Sequence, residues 1–269
     1  GAGAAMTDRP CYLLPIRCAP EDPIGELTGY LHGLADRCEV VVVDGSTGPV
    51  FQRNHAAWGG FARHLPPDRD LTYRNGKVNG VVTGMRLTTA DRVVIADDDV
   101  RYDARSLAAV LALLDSADLV LPQNYFAPLP WHAAWDSARS LLNRGVGADY
   151  PGTMAVRRHA FHRAGCCDGE VLFENLELMR TLRAAGARVV MAPHVLVPRR
   201  PPTVARFRQQ RVRQAYDSLA QPARLLAELA LLPGAVIDPS RDVMRNAHHL
   251  RLELPAALTR ALLTSVPAA

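Results

Sequence analysis

Residues 92 to 103 read RVVIADDDVRYD, in which an apolar run from Val93 to Ala96 passes directly into Asp97, Asp98 and Asp99. Adjacent carboxylates repel one another and raise each other's pKa unless positive charge lies among them. In extended chain Asp97 and Asp99 point to the same side. Two carboxylates so placed can share a divalent cation with the phosphate oxygens of a substrate. A strand-end turn or a helix cap also uses aspartate. The DxD spacing behind an apolar strand favours the cation, as does a second strand ending in aspartate, Asp44 of VVVVDGST.

Lysine carries the next signal. Of 31 basic residues, 30 are arginine and one, Lys77, is lysine. A position that stays lysine in such a chain calls for a compact ammonium rather than a planar fork. Lys77 sits in NGKVNG, ahead of a helix-like segment. Glycines there let the backbone approach an anion, and a helix N-terminus favours negative charge. A surface turn would read the same way. The GxxxxGK[ST] spacing of a phosphate-binding P-loop is absent.

The elements that must position these residues alternate. Strands are expected at Cys11–Ile16, 39–43, 71–73, Arg92–Ala96, in DLVLP, over 152–158 and in ARVVMAP. Helices are expected over 25–37, 50–63, from NGKVNG to Ala90, over 103–116, 131–145 and 174–186. Continuous apolar strands alternating with helices predict an α/β fold with a mostly parallel sheet covered on both faces. In such sheets ligands sit beyond the carboxyl ends of the strands, where Asp44 and the aspartate triplet fall. Trp131 and Trp135, four apart on one helix face, are read as core or interface rather than as a sugar platform.

Bulk properties narrow the classes. The 269 residues are 48% hydrophobic and 22% charged, ordinary for a globular chain. GAGAA ahead of Met6 is set aside as an expression remnant, and MTDRPCYLLPIRCAPED lacks the basic leader and apolar run of a signal peptide. No stretch reaches the roughly 18 apolar residues of a transmembrane helix. Five cysteines without scaffold spacing point to ordinary thiols in a reducing compartment. The net charge of +4 attracts anions without naming them. The basic run RRPPTVARFRQQRVRQ has Phe207 as its single aromatic, which argues against nucleic acid.

The order VVVVDGST, NGKVNG, ADDDV, GTMAVRR, FENLELMRTLRAAG and QQRVRQAY resembles the family 2 glycosyltransferases with the GT-A fold, nearest the membrane-associated, ceramide-glucosyltransferase-like branch. The resemblance spans about residues 10 to 216. It implies a nucleotide diphosphate sugar donor, UDP-sugar above others, and Mg²⁺ or Mn²⁺ on its pyrophosphate. Asp97 and Asp99 match the two metal-side aspartates, with Asp98 between them on the donor. Asp44 would meet the base or ribose near Pro15 and Arg17, and Lys77 would lie in the nucleotide pocket. His194 is a further candidate metal ligand. Gln210 and Arg213 match the QxxRW motif that closes over the donor, with Gln214 in place of tryptophan. Asn175 stands where the family carries the aspartate that deprotonates the acceptor. Glu174 is therefore the expected general base, with Glu177 one turn on as the alternative and an inverting transfer as the expected outcome.

The resemblance implies a GT-A domain over 6–221, with a nucleotide half at 6–100 and an acceptor half at 101–221, and a helical tail at 222–269. The expected activity is metal-dependent hexosyl transfer to a hydroxyl acceptor, lipid-linked or hydrophobic. The tail is too interrupted to span a bilayer, so peripheral membrane contact or burial against the domain is expected, in the cytoplasm or at the cytoplasmic membrane face. Two alternatives remain: a non-catalytic nucleotide-sugar-binding relative, motivated by Asn175, and a sugar-phosphate nucleotidyltransferase, whose glycine-rich GxGxR loop LLPIRCAPEDP lacks.

Overall fold

The computed structural model describes residues 9–134, 137, 152–165, 174–204 and 206–207, without the side chains of 174, 176 and 177. In chain order the elements are β1 (Cys11–Ile16), α1 (Gly25–Leu34), β2 (Glu39–Asp44), α2 (Gly48–Trp58), β3 (Arg63–Leu65), α3 (Gly76–Leu87) and β4 (Arg92–Ala96). The second half adds α4 (Ala104–Leu113), β5 (Leu119–Phe126), β6 (Thr153–Arg157), α5 (Arg158–Ala164), α6 (Glu174–Ala184) and β7 (Val189–Arg199). The strands form one sheet in the order β3-β2-β1-β4-β6-β5-β7. β1 runs parallel to β2 and β4, and β2 parallel to β3, while β6 is antiparallel to both β4 and β5. The fold is α/β, with a mostly parallel, mixed sheet.

β1 is buried along its whole length and β2 from Val40 onward, so neither shows the polar alternation of a half-exposed strand. Their side chains still alternate between faces. Tyr12, Leu14, Val40, Val42, Val94 and Ala96 join one core with Leu31 of α1, Trp58 of α2 and Leu107 and Val110 of α4. Leu13, Val41, Val43, Val93 and Ile95 join the other with Val78, Val81 and Met85 of α3 and Leu182 of α6. Ile16 pairs with Asp44 and Leu13 with Ile95, so β1, β2 and β4 end along one edge. Because β6 is antiparallel, its first residue Thr153 pairs with Ala96 at that same edge.

Several expectations need correction. The strand expected at Leu71–Tyr73 is not one: Asn79 takes its backbone instead, accepting from Tyr73 N at 3.2 Å and donating to Tyr73 O at 3.0 Å. The edge strand is Arg63–Leu65, a polar RHL that pairs with β2 and whose His64 turns inward. β5 and β7 run to Phe126 and Arg199, well beyond DLVLP and ARVVMAP. The extension of β5 is the polar and aromatic QNYF, which lacks β-branched residues, whereas that of β7 includes the buried Val195 and Val197 and ends in the bridge from Arg199 to Val100.

Contacts divide the chain into two units, Gly1–Tyr125 with Tyr150–Arg199, and Phe126–Asp149 with Arg200–Ala269. The described part of the second unit gathers Trp131, His132 and Phe207 with ring centroids 5.4–5.8 Å apart. His132 Nε2 donates to Pro202 O at 2.8 Å. Trp131 is 67% exposed, so it is not core. Trp135, most of the expected 131–145 helix, Cys166, Cys167, and the tail with the boundary expected at 221 lie outside the described residues. No described helix is long and apolar enough to cross a membrane.

Candidate active site

The positive charge that the aspartate triplet requires is present as two side chains. Lys77 Nζ donates to Asp97 Oδ1. Arg199 lies across the other two carboxylate edges: its Nε is 3.0 Å from both oxygens of Asp99, and its Nη2 is 2.8 Å from Asp99 Oδ2 and 3.4 Å from Asp97 Oδ2. Lys77 Nζ also donates to Asn175 Oδ1 at 3.2 Å. One ammonium and one guanidinium thus neutralise much of the triplet. Burial raises the pKa of Asp99, Arg199 pulls it back, and the neighbouring Asp97 pushes it up again, for a net rise.

Each partner is brought in by a different element. Asp97 N donates to Gly152 O at 2.8 Å, extending the β4–β6 ladder by one rung, and Gly152 N donates to Asn124 Oδ1 of β5 at 2.8 Å. A Cβ on Gly152 would stand 2.7 Å from Asp97 Oδ2 and 2.7 Å from Arg199 Cζ, so glycine is what lets the carboxylate and guanidinium close there. β7 delivers Arg199 through an antiparallel bridge to Val100 and a bond from Arg101 N to Pro198 O of 2.9 Å. The Arg101 guanidinium donates to the carbonyls of Asp98 and Val100 at 2.7 and 2.8 Å and pins the aspartate turn. Behind the turn, Tyr102 donates its hydroxyl to Thr153 Oγ1 at 3.1 Å, and Thr153 donates to Ile95 O at 2.7 Å.

α3 positions Lys77. Asn75 caps the helix, its side chain accepting from Lys77 N at 3.1 Å. A lysine in a first helical turn is opposed by the macrodipole, and the carboxylate of Asp97 compensates. The helix packs directly on β1. A Cβ on Gly80 would lie 2.8 Å from Pro15 Cβ, and one on Gly84 would lie 2.1 Å from Leu13 Cδ1.

Asp44 forms a separate, closed network. Its side chain is fully buried. It accepts from Ser46 N at 2.8 Å, Asn54 Nδ2 at 2.8 Å and His64 Nε2 at 3.1 Å. With Nε2 donating, His64 Nδ1 is the acceptor for His55 Nδ1, 3.1 Å away. Burial alone would raise the pKa of Asp44, but the bonds from His64, Ser46 and Asn54 outweigh it and hold the carboxyl below its ordinary range. Ser46 Oγ in turn accepts from Cys18 N at 2.8 Å, tying the end of β1 to the end of β2.

Among the residues singled out by sequence, the structure brings Lys77, Asp97, Asp99 and Asn175 together. Asp98 is half-buried within the same turn. Pro15 is buried under α3 and Arg17 is exposed. Asp44 shares the strand-end edge, but its carboxylate is spent on internal partners. His194 is exposed on β7, five residues before Arg199, and it is Arg199 that meets the aspartates. Glu174 opens α6 and Glu177 lies within it, their side chains outside the described residues, as are Gln210 and Arg213 altogether. Sequence reasoning missed Arg199, Gly152, Asn124 and Thr153. Arg199 was visible as the first of an arginine run directly after an apolar strand. Burial pushes the thiol of Cys11 up to about 12 and those of Cys18 and Cys38 up to about 11, in keeping with ordinary thiols.

Asp97 and Asp99 suit a divalent cation in chemistry and placement: two carboxylates on one turn that already attract two cationic side chains. Among the described residues no group of three or more His, Cys, Asp and Glu side chains could hold a metal. A hard cation prefers six or more oxygens, so the pair would need oxygens from a ligand to complete the shell.

No family model matches the chain, and no curated protein matches it either. Solved structures do. A mannosyltransferase from Pyrobaculum calidifontis, in complex with GDP-Man and Mn²⁺, aligns at a TM-score of 0.52 and 20% identity, covering 95% of this chain and 85% of its own. Glucosyl-3-phosphoglycerate synthase from Mycobacterium tuberculosis, with Mn²⁺, UDP and phosphoglyceric acid, aligns at 0.50 and 19% identity, covering 73% and 72%. A mycobacterial protein aligns at 0.52 and 20% identity, covering 74% and 69%. The mannosyltransferase and the synthase are GT-A-like nucleotide-sugar glycosyltransferases, and the α/β fold of this chain is theirs.

Proposed function

We propose that the chain is a metal-dependent glycosyltransferase that moves a sugar from a nucleotide diphosphate donor to a hydroxyl acceptor. The observation that carries this reading is the pairing of Asp97 and Asp99 at the carboxyl end of β4, with Lys77 and Arg199 against them. A diphosphate leaving group needs positive charge beside it as the glycosidic bond breaks. Mg²⁺ or Mn²⁺ held by Asp97 and Asp99 would supply that charge as a Lewis acid. Lys77, at the N-terminus of α3, adds a second cation where the backbone amides of the first turn also favour phosphate. Asp44 acts one step back from the ligand, by holding Ser46 and the loop between β2 and α2 against the end of β1.

UDP is the favoured nucleotide, in line with the sequence resemblance, and the GDP-Man complex of one neighbour keeps GDP as its rival. Glu174, at the start of α6 beside Asn175, is the proposed base that takes the acceptor proton, with Glu177 as its alternative, and inversion as the outcome. A hydrophobic or lipid-linked acceptor is inferred from the resemblance to the ceramide-glucosyltransferase-like branch.

Asn175 favours a second reading. Lys77 donates to its amide oxygen, and an amide there cannot accept a proton. A chain that binds nucleotide diphosphate with metal and turns over nothing is the alternative. Calorimetric titration of UDP and GDP, each with and without Mn²⁺, on the intact chain and on Asp99→Ala, tests both readings. Metal-dependent binding abolished by Asp99→Ala is expected, together with release of free UDP or GDP from the donor sugar. Binding without turnover selects the second reading, and no binding of either nucleotide removes both.

A further inference from the structure

We propose that Arg199 is a resident counter-cation of the aspartate pair, which holds Asp97 and Asp99 before the donor arrives and passes to the diphosphate when a divalent cation replaces it. The inference rests on the nucleotide-sugar reading above and deepens it by assigning to one side chain a share of the coupling between metal and nucleotide, beyond the phosphate oxygens' own ligation.

The geometry defines the exchange. The guanidinium bridges both carboxylates expected to take the metal, with Nε on both oxygens of Asp99 and Nη2 reaching Asp97 Oδ2. Guanidinium and divalent cation therefore compete for the same oxygens. About three-quarters of each of the three side chains is withdrawn from solvent, with 24–26% left exposed. Metal alone must eject a largely buried cation from its charge-assisted hydrogen bonds with Asp97 and Asp99. Metal with a diphosphate offsets that cost, because the phosphate oxygens offer the planar fork a bidentate partner in place of the carboxylates. The β7 bridge to Val100 keeps the Arg199 backbone beside the turn during the exchange, so only the side chain has to move. Gly152 gives the guanidinium the space it occupies against Asp97. Lys77 approaches Asp97 through its other oxygen, Oδ1, and remains while Arg199 leaves. Two ligands that each remove the obstacle to the other bind with positive coupling.

Free Mn²⁺ monitored by electron paramagnetic resonance tests this without any turnover. The wild-type chain is expected to bind Mn²⁺ weakly alone and about tenfold or more tighter with saturating UDP or GDP, a coupling of about 1.4 kcal/mol. Arg199→Gln is expected to bind Mn²⁺ alone about tenfold tighter than wild type and to gain less from nucleotide than wild type does, the remaining gain coming from the phosphate oxygens that complete the metal shell. A residue that merely supported the fold would lower both affinities on removal, so a rise in metal affinity is specific to competition. An unchanged or weaker Mn²⁺ affinity in Arg199→Gln overturns the proposal, as does a nucleotide gain equal to that of wild type. Arg199→Lys retains the charge without the fork and serves if Arg199→Gln does not fold. An Mn²⁺ affinity between wild type and the tenfold gain supports the exchange, and one at the wild-type value overturns it. If neither UDP nor GDP binds wild type with Mn²⁺, the nucleotide reading and the passage to diphosphate both fail, while the competition itself is decided by Mn²⁺ alone.

Discussion

Three aspartates in a row are tolerated at the end of β4 because a primary ammonium and a guanidinium arrive from two distant parts of the chain. The two cations are not equivalent. Lys77 makes one point contact with Asp97 and reaches Asn175 with the same nitrogen, whereas Arg199 spreads over two carboxylates. Lys77→Arg is therefore expected to weaken metal-dependent nucleotide binding by about tenfold despite keeping the charge, since a rigid fork cannot take up both contacts from the first turn of α3. Calorimetry on the variant checks this, and an affinity equal to wild type would mean that only net charge matters at the position. Lys77 was legible from composition because it is the one lysine among 31 basic residues. Arg199 was not, because it heads a run of chemically equal arginines, and which of them meets the aspartates depends on where β7 ends. Asn175 was legible as a departure from a familiar pattern, and the structure adds that it lies within reach of Lys77.

At the scale of elements, the site depends on how closely α3 is laid on β1. Gly80 and Gly84 are one turn apart on the face that meets Pro15 and Leu13, and both would carry a Cβ inside contact distance. Gly84→Ala is expected to destabilise the chain by about 1–3 kcal/mol through overpacking, even though alanine is the better helix former. A chemical-denaturation midpoint lowered at unchanged slope is the expected record. A rise in stability would show that the helix can withdraw from the sheet at no cost. β1, β2 and β4 were read nearly to the residue, because long apolar runs in a doubly covered sheet leave little ambiguity, whereas β5 and β7, which carry Asn124 and Arg199, were read short. RHL was not read as a strand, since its one buried side chain, His64, is polar and is drawn inward by Asp44 rather than by hydrophobicity. The segment Leu71–Tyr73 has the right residue types but no ladder partner, and a side-chain amide took the place of one.

At the scale of the whole molecule, pH acts through carboxylates held below their ordinary range. Asp44 is one, through His64, Ser46 and Asn54. Asp91 is another, where bonds from His159 and Arg157 outweigh burial, and Asp103, through Ser106, is a third. A depressed folded-state pKa contributes stability in full above the unfolded value, near 3.8, and loses it as pH falls through the folded value. Stability is thus expected to be flat from neutrality to about pH 5 and to decline steeply below about pH 4. Asp44→Asn, which leaves a buried network short of an acceptor, is expected to cost about 1–3 kcal/mol at pH 7. Its deficit against wild type should shrink as pH falls below the ordinary value of 3.8 and through the lower folded-state value at which the native carboxyl also becomes protonated. Thermal denaturation of both chains across this range measures it, and a deficit independent of pH would assign the loss to packing instead of charge.

From the sequence alone came the α/β class, the strand ends at which chemistry gathers, the paired carboxylates and the singular lysine. These rest on short-range facts: apolar runs, side-chain alternation, and the repulsion of neighbouring charges. Only the tertiary structure decided which cation answers Asp99, that Asp44 is closed off by Asn54 and His64, and that a missing Cβ at Gly152 makes room for Arg199. Those choices turn on distances between residues up to about a hundred positions apart, and local sequence carries no record of such distances until the sheet brings the strand ends to a common edge.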